Sequence, residues 1–211
     1  MFDIEYKGGN TVVISTKKTT LITDPKQSLI GLKDASVKDA VELATEERFM
    51  INDEAARLVI EGPGEYEVGD FSVRGIAAQR HIDTETDEKR STIYRIETGD
   101  VRIALLGNVA PKLTEEQLED LGVIDIVIIP VGGTGYTLDA TSAAAIVRQI
   151  EPKAVVPVHY ADAALSYEVP QEDLEVFTKE LGAPVEETGK YKVKAATSLP
   201  DALTAIVIAR S

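Results

Sequence analysis

Apolar and polar residues alternate along much of the first hundred positions, a pattern typical of half-buried β-strands. Residues 2–7 and 11–15 show it first, and Gly8-Gly9-Asn10 between them predicts a hairpin turn. Glycine and proline then separate a series of short apolar runs. We therefore predict further strands over residues 20–23, 40–44, 57–60, 65–68, 71–78, 92–97 and 101–106.

The pattern changes in the second half, where helical periodicity alternates with continuous apolar runs. Thr114, with Gln117 three residues later, predicts the capped start of a helix over residues 114–121. Two other runs are apolar apart from Asp125, which is typical of strands that are buried on both sides. These strands are predicted over residues 124–131 and 154–158. Helices are predicted from Asp139 or Thr141 to Ile150 and over residues 171–181, the latter with Gly182 as a left-handed cap. Strands are predicted over 191–195 and 203–209.

Strands with two apolar faces need cover on both sides. The pattern therefore predicts two mixed sheets packed face to face with the helices outside, an α/β (α+β) architecture. No linker or low-complexity tract interrupts the chain, so we expect a single domain over residues 1–211. Residues 84–90 are predicted to form a polar, charged loop.

The charge balance narrows the choice of partners. The chain has 22 basic and 36 acidic residues, a net charge of −14, which disfavours nucleic acid and anionic membranes as partners. A small molecule or a protein is the expected partner, and a homo-oligomer stays open. Cysteine is absent, which excludes thiolate zinc sites, iron–sulfur clusters and disulfides. Residues 1–7 lack the apolar segment of a signal peptide, so the cytoplasm is the expected location.

Few residues are suited to chemistry. The two histidines, His81 and His159, each follow a predicted strand, which favours a shared pocket. Glu65 and Glu67 are more often a solvated strand face than an acid–base pair. The glycine-rich residues 132–135 lack the third glycine of a dinucleotide loop and the lysine of a P-loop, which favours a simple turn.

Several motifs occur in order along the chain. They are YKGGN at residues 6–10, ITDP at 22–25, GPGEYEV at 62–68, LGN at 106–108, IPVGG at 129–133, YTLDA at 136–140 and PVHY at 157–160. Together they resemble the metallo-β-lactamase superfamily, in particular a bacterial Zn-dependent hydrolase branch near the ascorbate-6-phosphate lactonases. The resemblance implies a four-layer αββα sandwich formed by most of the chain.

The resemblance also locates the metal site, and most of its ligands are replaced. Relatives often read THxHFDHN where this chain reads TEERFMIN at residues 45–52. Glu46 and Arg48 stand for the first two histidines, Met50 for the aspartate and Ile51 for the last histidine. His81 and His159 match isolated histidines of the family. Asn108 stands for a bridging aspartate, Gly9 for a further histidine, and Asp24 matches a strand-end aspartate.

These replacements favour a protein that has lost its metal site and hydrolase activity. It would act as a non-catalytic binding, regulatory or structural protein with no catalytic residues, no metal and no cofactor. Its residual pocket would contain Asp24, Glu46, Arg48, His81, Asn108 and His159. The alternative is a divergent metal-dependent hydrolase of a small-molecule ester, lactone or phosphorylated substrate. It would bind zinc or another divalent metal through His81, His159, Glu46 and Asp83 or Asp162. Metal-free enzymes and nucleotide-binding modules are less favoured.

Arg48 is the replacement with the clearest physical consequence. A guanidinium has only N–H donors and a permanent positive charge, so it can supply charge but cannot bind a metal. We expect Arg48 to point into the former metal pocket and to pair with Asp24 or Glu46. Met50 and Ile51 would fill the remaining volume. The alternative is that residues 45–52 swing away and leave Arg48 as a solvated surface charge.

Overall fold

The computed structural model describes residues 1–82 and 90–211. In these ranges the strands are β1 (Phe2–Gly8), β2 (Thr11–Ser15), β3 (Thr20–Thr23), β4 (Val41–Ala44), β5 (Leu58–Glu61), β6 (Gly64–Val68), β7 (Phe71–Ala78), β8 (Ser91–Thr98), β9 (Val101–Leu105), β10 (Ile126–Pro130), β11 (Ala154–Val158), β12 (Val185–Thr188), β13 (Tyr191–Val193) and β14 (Thr204–Ile208). The α-helices are α1 (Glu115–Leu121), α2 (Ala140–Ile150) and α3 (Leu174–Leu181). Of the loop predicted over residues 84–90, only Arg90 lies within the described residues.

The strands form two mixed sheets, as predicted. The six-stranded sheet has the order β13-β1-β2-β3-β4-β5, and the eight-stranded sheet has the order β12-β14-β11-β10-β9-β8-β7-β6. In the larger sheet β6 to β9 are antiparallel, whereas β9, β10, β11, β14 and β12 run parallel. The predicted fold class, with two sheets and flanking helices, is confirmed.

The main core lies between the two sheets. It combines Ile4, Ile14 and Leu43 of the six-stranded sheet with Ile103 and Ile128 of the eight-stranded sheet, all fully buried. Side chains on the other face of the larger sheet form a second core with the helices. Val127 and Val155 pack there with Ala143 of α2, Phe177 of α3 and Leu121 of α1. Burial of β10 and β11 on both faces explains their unbroken apolar sequence.

The helix ends follow the sequence signals. Thr114 accepts a hydrogen bond from the Gln117 backbone N–H, and the Gln117 side chain accepts one from the Thr114 backbone, which is the predicted capping box. Asp139 caps α2, and Gly182 ends α3 with a left-handed φ of 68°. In the described residues, no helix is both long enough and apolar enough to cross a bilayer.

The structure differs from the sequence prediction most clearly at the start of α3 and at β12. The helix predicted from residue 171 begins only at Leu174, because the Glu172 N–H donates instead to the Gly132 carbonyl at 2.7 Å. Strand β12 was not predicted, because its sequence VEET is mostly exposed and lacks apolar alternation. It lies at the edge of the larger sheet, where only one side is paired with another strand.

Gly75 of β7 allows a close backbone contact with the turn before β6. A Cβ at residue 75 would lie 2.6 Å from the Gly62 carbonyl oxygen and 3.0 Å from the Pro63 Cα. We expect Gly75→Ala to lower the free energy of unfolding by about 1–3 kcal/mol, because the strand and the turn must separate. Urea denaturation measures this loss.

Gly189→Ala is the matched control for this substitution. A Cβ at residue 189 would have no atom within 4 Å, and Gly189 does not adopt a left-handed conformation. The control should change the free energy of unfolding by less than about 0.5 kcal/mol. Equal losses in the two variants would contradict the proposed steric role of Gly75.

Candidate functional site

The candidate site lies at one rim of the sandwich, where strands of both sheets end. Asn10 lies in the turn between β1 and β2, and Glu46 follows β4 after one intervening residue. Asn108 follows β9 and His159 follows β11 directly. Strand ends that meet at one edge commonly present side chains to a ligand site in open α/β sheets.

A continuous chain of polar contacts connects these residues. His159 Nδ1 lies 2.9 Å from Asn10 Oδ1, and Asn10 Nδ2 lies 3.5 Å from Asn108 Oδ1. Asn108 Nδ2 lies 3.2 Å from Glu46 Oε1. Arg48 completes the chain, with its Nε 3.6 Å from Glu46 Oε2. We call Asn10, Glu46, Arg48, Asn108 and His159 the rim cluster.

The carboxylate of Glu46 determines which side-chain atoms of the rim cluster donate hydrogen bonds and which accept them. Glu46 accepts from the Asn108 amide, so the Asn108 oxygen is free to accept from the Asn10 amide. Asn10 then presents its own oxygen to His159, which must donate from Nδ1. His159 is therefore the tautomer that carries its proton on Nδ1 and its lone pair on Nε2.

Arg48 is held inside the site from several sides. Its guanidinium lies 4.6 Å from the ring centre of Phe49 and 4.8 Å from that of Tyr136, both within the range of a cation–π contact. Arg48 Nη1 also lies 3.6 Å from Glu168 Oε2. The alternative in which residues 45–52 swing away therefore does not describe this structure. The side chain is about one-third exposed, whereas that of Glu46 is buried.

Asp24 is buried beside the rim cluster. Its carboxylate accepts hydrogen bonds from the Thr45 backbone N–H and the Thr45 hydroxyl, both at 2.7 Å. Burial raises the pKa of Asp24 from its ordinary 3.8 to about 7, although the two bonds from Thr45 oppose this rise. Asp24 therefore contacts Thr45, and the ion pair of Arg48 is with Glu46.

His159 is buried and stacks on Tyr167 with ring centres 4.9 Å apart. Burial, and then the nearby charge of Arg48, lower the pKa of His159 from 6.5 to about 4. The imidazole is therefore neutral at pH 7. This agrees with a ring that donates from one nitrogen and keeps a lone pair on the other.

The remaining predicted residues lie in different places. The His81 backbone N–H donates to the Asn108 carbonyl at 2.7 Å, but the His81 Nδ1 is buried without a hydrogen-bond partner among the described residues. Met50 is buried. Ile51 is half-buried and lines a separate small cavity with Ile22 and Ala40, so the expectation that it fills the site is wrong.

Three further expectations concern residues outside the rim cluster. Asp162 accepts a 2.6 Å bond from Arg210 Nε, and Asp83 lies outside the described residues. Glu65 and Glu67 are exposed on β6. Gly132 is needed because a Cβ there would overlap the His159 carbonyl oxygen, which gives this glycine-rich turn a packing role.

The donor set does not fit a divalent metal. Residues 1–82 and 90–211 contain no group of three or more His, Cys, Asp or Glu side chains arranged to hold an ion. Both Asp24 oxygens take hydrogen bonds from Thr45, and the Glu46 carboxylate faces a guanidinium. A catalytic zinc normally has three protein ligands and one open position.

Sequence reasoning missed several residues of the site. Asn10 was assigned only to a hairpin turn, although it connects His159 with Asn108. No motif marks Arg80, yet its Nη1 lies 3.9 Å from Glu46 Oε2. Tyr167 was also missed, and its sequence surroundings carry no signal that would have indicated a contact with His159.

Comparison with known proteins identifies relatives of this architecture. The family described as the Beta-lactamase superfamily domain matches residues 3–159. A UPF0173 protein of Pyrococcus furiosus is 32% identical over 124 residues, which cover 58% of this chain and 51% of the relative. The chain thus spans about half the length of the curated relative that it matches.

Solved structures share the fold at low sequence identity. A Thermotoga maritima protein, described as a Zn-dependent hydrolase of the metallo-beta-lactamase superfamily, has a TM-score of 0.77 at 20% identity, with 98% of this chain and 100% of that chain covered. Igni18, described as a metallo hydrolase from Ignicoccus hospitalis, has a TM-score of 0.65 at 16% identity, with 86% and 90% covered. These similarities establish the fold.

The contact between Arg48 and Glu46 has a measurable effect on stability. Arg48→Ala removes one cation from a buried carboxylate, but Arg80 and the Asn108 amide still contact Glu46. We therefore expect a loss of about 1–2 kcal/mol, between the values for exposed and for fully buried pairs. Urea denaturation measures it, and Lys179→Ala, which breaks an exposed pair with Glu175, is the control. A loss no larger than the control would contradict the role of Arg48 in supporting Glu46.

Asp24 and His159 affect the pH dependence of stability in opposite directions. Between pH 3.8 and about 7, folded Asp24 keeps a proton that the unfolded chain releases, so its contribution to stability falls as pH rises. Between pH 4 and 6.5, folded His159 lacks a proton that the unfolded chain binds, so its contribution rises. The two contributions oppose each other in the unmodified protein.

Single substitutions separate these contributions. Relative to the unmodified protein, Asp24→Asn should make stability rise more steeply from pH 4 to 6.5, by up to about 1.4 kcal/mol per pH unit. His159→Asn should make stability fall more steeply with pH from pH 4 to 6.5, because the rising contribution of His159 is lost. Urea denaturation at several pH values measures both slopes. Unchanged slopes in both variants would show that neither group has a perturbed pKa.

Proposed function

The chain belongs to the family of the Beta-lactamase superfamily domain, and we propose that it uses this fold as a metal-independent binding protein. In this proposal the rim cluster, with Asp24 behind it, forms the floor of a binding site. Arg48 supplies a fixed positive charge at a position where the resemblance places a metal-binding histidine.

The ion pair between Arg48 and Glu46 is the observation that carries this proposal. A metal bound to Glu46 would lie beside a permanent positive charge. At about 5 Å and an effective dielectric constant of about 20, a divalent ion and a guanidinium repel each other by about 7 kcal/mol. This repulsion is comparable to much of the binding free energy of a structural zinc ion, about 10–16 kcal/mol.

The other residues support binding more readily than hydrolysis. His159 is neutral, and its low pKa makes it a weak base at pH 7. Asn108 and Asn10 are neutral amides that fix the orientation of Glu46 and His159. Arg48 carries N–H groups that can donate to a ligand. Together these groups can position an acceptor-rich ligand without supplying an activated water.

A metal-dependent hydrolase of a small-molecule ester, lactone or phosphorylated compound is the second candidate. Two observations favour it. The structural neighbours include proteins described as a Zn-dependent hydrolase and a metallo hydrolase. The buried Nδ1 of His81 has no hydrogen-bond partner in the part of the chain that is described, so this nitrogen is available to bind a metal. His81, His159 and Glu46 would then be the protein ligands.

Metal analysis separates the two candidates. Protein purified without chelator should contain much less than one equivalent of zinc, iron or manganese by elemental analysis. Added zinc should leave the melting temperature unchanged, because the donor set is incomplete. A specific site filled to 100 times its Kd would instead stabilise the fold by about 2.7 kcal/mol, or roughly 5–10 °C.

Arg48→Ala extends this test to the cause of metal exclusion. If the guanidinium repels metal, the variant should bind zinc more strongly than the unmodified protein. Arg148→Ala removes an equal charge from α2. This variant should bind zinc no more strongly than the unmodified protein does. Stoichiometric metal in the unmodified protein, with hydrolysis lost on chelation and restored by metal, would overturn the binding proposal and support the hydrolase.

A further inference from the structure

Residues 161–172, between β11 and α3, form a loop that contains no helix or strand. Its two ends are joined, because the Ala161 backbone N–H donates to the Glu172 carbonyl at 2.9 Å. The Glu172 N–H in turn donates to the Gly132 carbonyl at 2.7 Å, which fixes the joined ends to the rest of the protein. Compact loops of this length whose ends meet are Ω-loops, and they are frequently functional. We call these residues the 161–172 loop.

The 161–172 loop covers His159. The Tyr167 ring stacks on the imidazole with ring centres 4.9 Å apart and planes 20° from parallel. A cavity of about 30 Å³ lies beside the two rings, and Arg48 and Tyr136 also line it. A cavity of this size has room for roughly one or two waters, whereas small-molecule sites usually have about 300–1,000 Å³. A ligand can therefore reach His159 from this side only if the loop moves.

The 161–172 loop is weakly attached for a segment that covers a buried residue. Each of its residues is half-buried or exposed, whereas His159 is buried. The Oε1 atom of Gln171 is covered by protein and has no hydrogen-bond partner in the described part of the chain, so the closed position leaves one acceptor unsatisfied. Segments that bury little apolar surface open at a lower free energy than the core does.

Two hydrogen bonds attach the 161–172 loop to neighbouring turns. The Ser166 backbone N–H donates to the Ile30 carbonyl at 3.0 Å. The Thr134 hydroxyl donates to the Pro170 carbonyl at 2.5 Å, close to the joined ends of the loop. Of these two bonds, only that of Ser166 holds the middle of the loop, next to Tyr167.

Two ion pairs also hold the 161–172 loop, and they differ in quality. Arg210 Nε lies 2.6 Å from Asp162 Oδ2, and both side chains are less than one-third exposed. Arg48 Nη1 lies 3.6 Å from Glu168 Oε2, and Glu168 is 58% exposed. A short, partly shielded pair is stronger than a long, exposed one. The pair of Asp162 with Arg210 is therefore the stronger electrostatic attachment of the loop.

We propose that the 161–172 loop is a lid, latched by Asp162 and Arg210, which opens about its joined ends to admit a ligand to His159. This inference rests on the proposed binding function and states how access to that site is controlled. Opening breaks the stack of Tyr167 on His159, the Ser166 hydrogen bond and the two ion pairs. The bonds at the joined ends stay intact, so the loop moves as a unit.

An engineered disulfide can lock the lid, because the chain has no cysteine of its own. A Cβ at residue 31 would lie 3.3 Å from the Ser166 Cβ, close to the separation of about 3.5–4.5 Å in disulfides. The test variant is therefore Gly31→Cys with Ser166→Cys. Gly31 has a left-handed φ of 81°, which strains a cysteine there. The reduced form of the variant has the same strain and is the matched control for the oxidised form.

Labelling with diethyl pyrocarbonate measures the opening, because this reagent acylates neutral imidazoles that it can reach. Mass spectrometry resolves the two histidines of the chain, His81 and His159. We expect His159 to be labelled in the unmodified protein and in the reduced variant, and at least about tenfold more slowly in the oxidised variant, where the lid stays closed. His81 should be labelled at the same rate in both forms. Equal His159 rates in the two forms, or no labelling of His159 in the unmodified protein, would overturn the proposal.

Asp162→Asn tests the latch without a disulfide. It should label His159 about threefold faster than the unmodified protein, since a partly exposed ion pair is lost. Glu175→Gln removes a carboxylate from an exposed pair with Lys179 on α3 and is the matched control, with an unchanged rate. Equal rates in these two variants would contradict the latch. Circular dichroism verifies that the variants are folded, and this comparison decides alone if the double-cysteine variant does not fold.

Metal analysis of the same samples keeps the lid distinct from the proposed function. Metal-free protein in which the disulfide leaves the His159 rate unchanged would overturn only the lid. Metal-loaded protein whose His159 labelling depends on the disulfide would overturn metal independence and leave the lid in place.

Discussion

The buried contact between Asp24 and Thr45 holds together the rim on which the site depends. The carboxylate of Asp24 takes both the N–H and the hydroxyl of Thr45, so the ends of β3 and β4 are fixed to each other. The Thr45 carbonyl accepts from the Thr92 N–H at 2.9 Å, which connects β4 to β8 of the other sheet. Residue 107 is a glycine, and a Cβ at this position would overlap the Thr45 side chain. The next residue along the chain is Glu46, which is therefore placed by contacts to both sheets.

The site combines a widespread scaffold with an unusual distribution of charge. The strand ends of the sandwich bring together residues as distant in sequence as Asn10 and His159. Where the resemblance places metal ligands, the structure has an ion pair between Glu46 and Arg48, with Arg80 nearby. The charge of Arg48 is held in place because its guanidinium packs against the rings of Phe49 and Tyr136. In the proposed function, this fixed guanidinium supplies the positive charge of the site.

The fold could be predicted from sequence because its strongest signals are local. The doubly apolar runs identified β10 and β11, and Thr114 with Gln117 identified the start of α1. Strand β12 was missed because an exposed edge strand needs no apolar face. The site was only partly predictable. Motif positions indicated Glu46, Asn108 and His159, but the role of Asn10 depends on a partner 149 residues away, which no local pattern reveals.

The hydrogen-bonded chain from Glu46 to His159 has a directional property that no single contact possesses. Each amide in it has one end that donates and one that accepts, and the carboxylate at the start sets the sense of the whole row. Turning one amide alone would place two oxygens or two NH2 groups against each other at its junctions. The amides and the imidazole proton must therefore reverse together or stay as they are. The chain behaves as a single ordered unit with two possible polarities, of which the charge of Glu46 selects one.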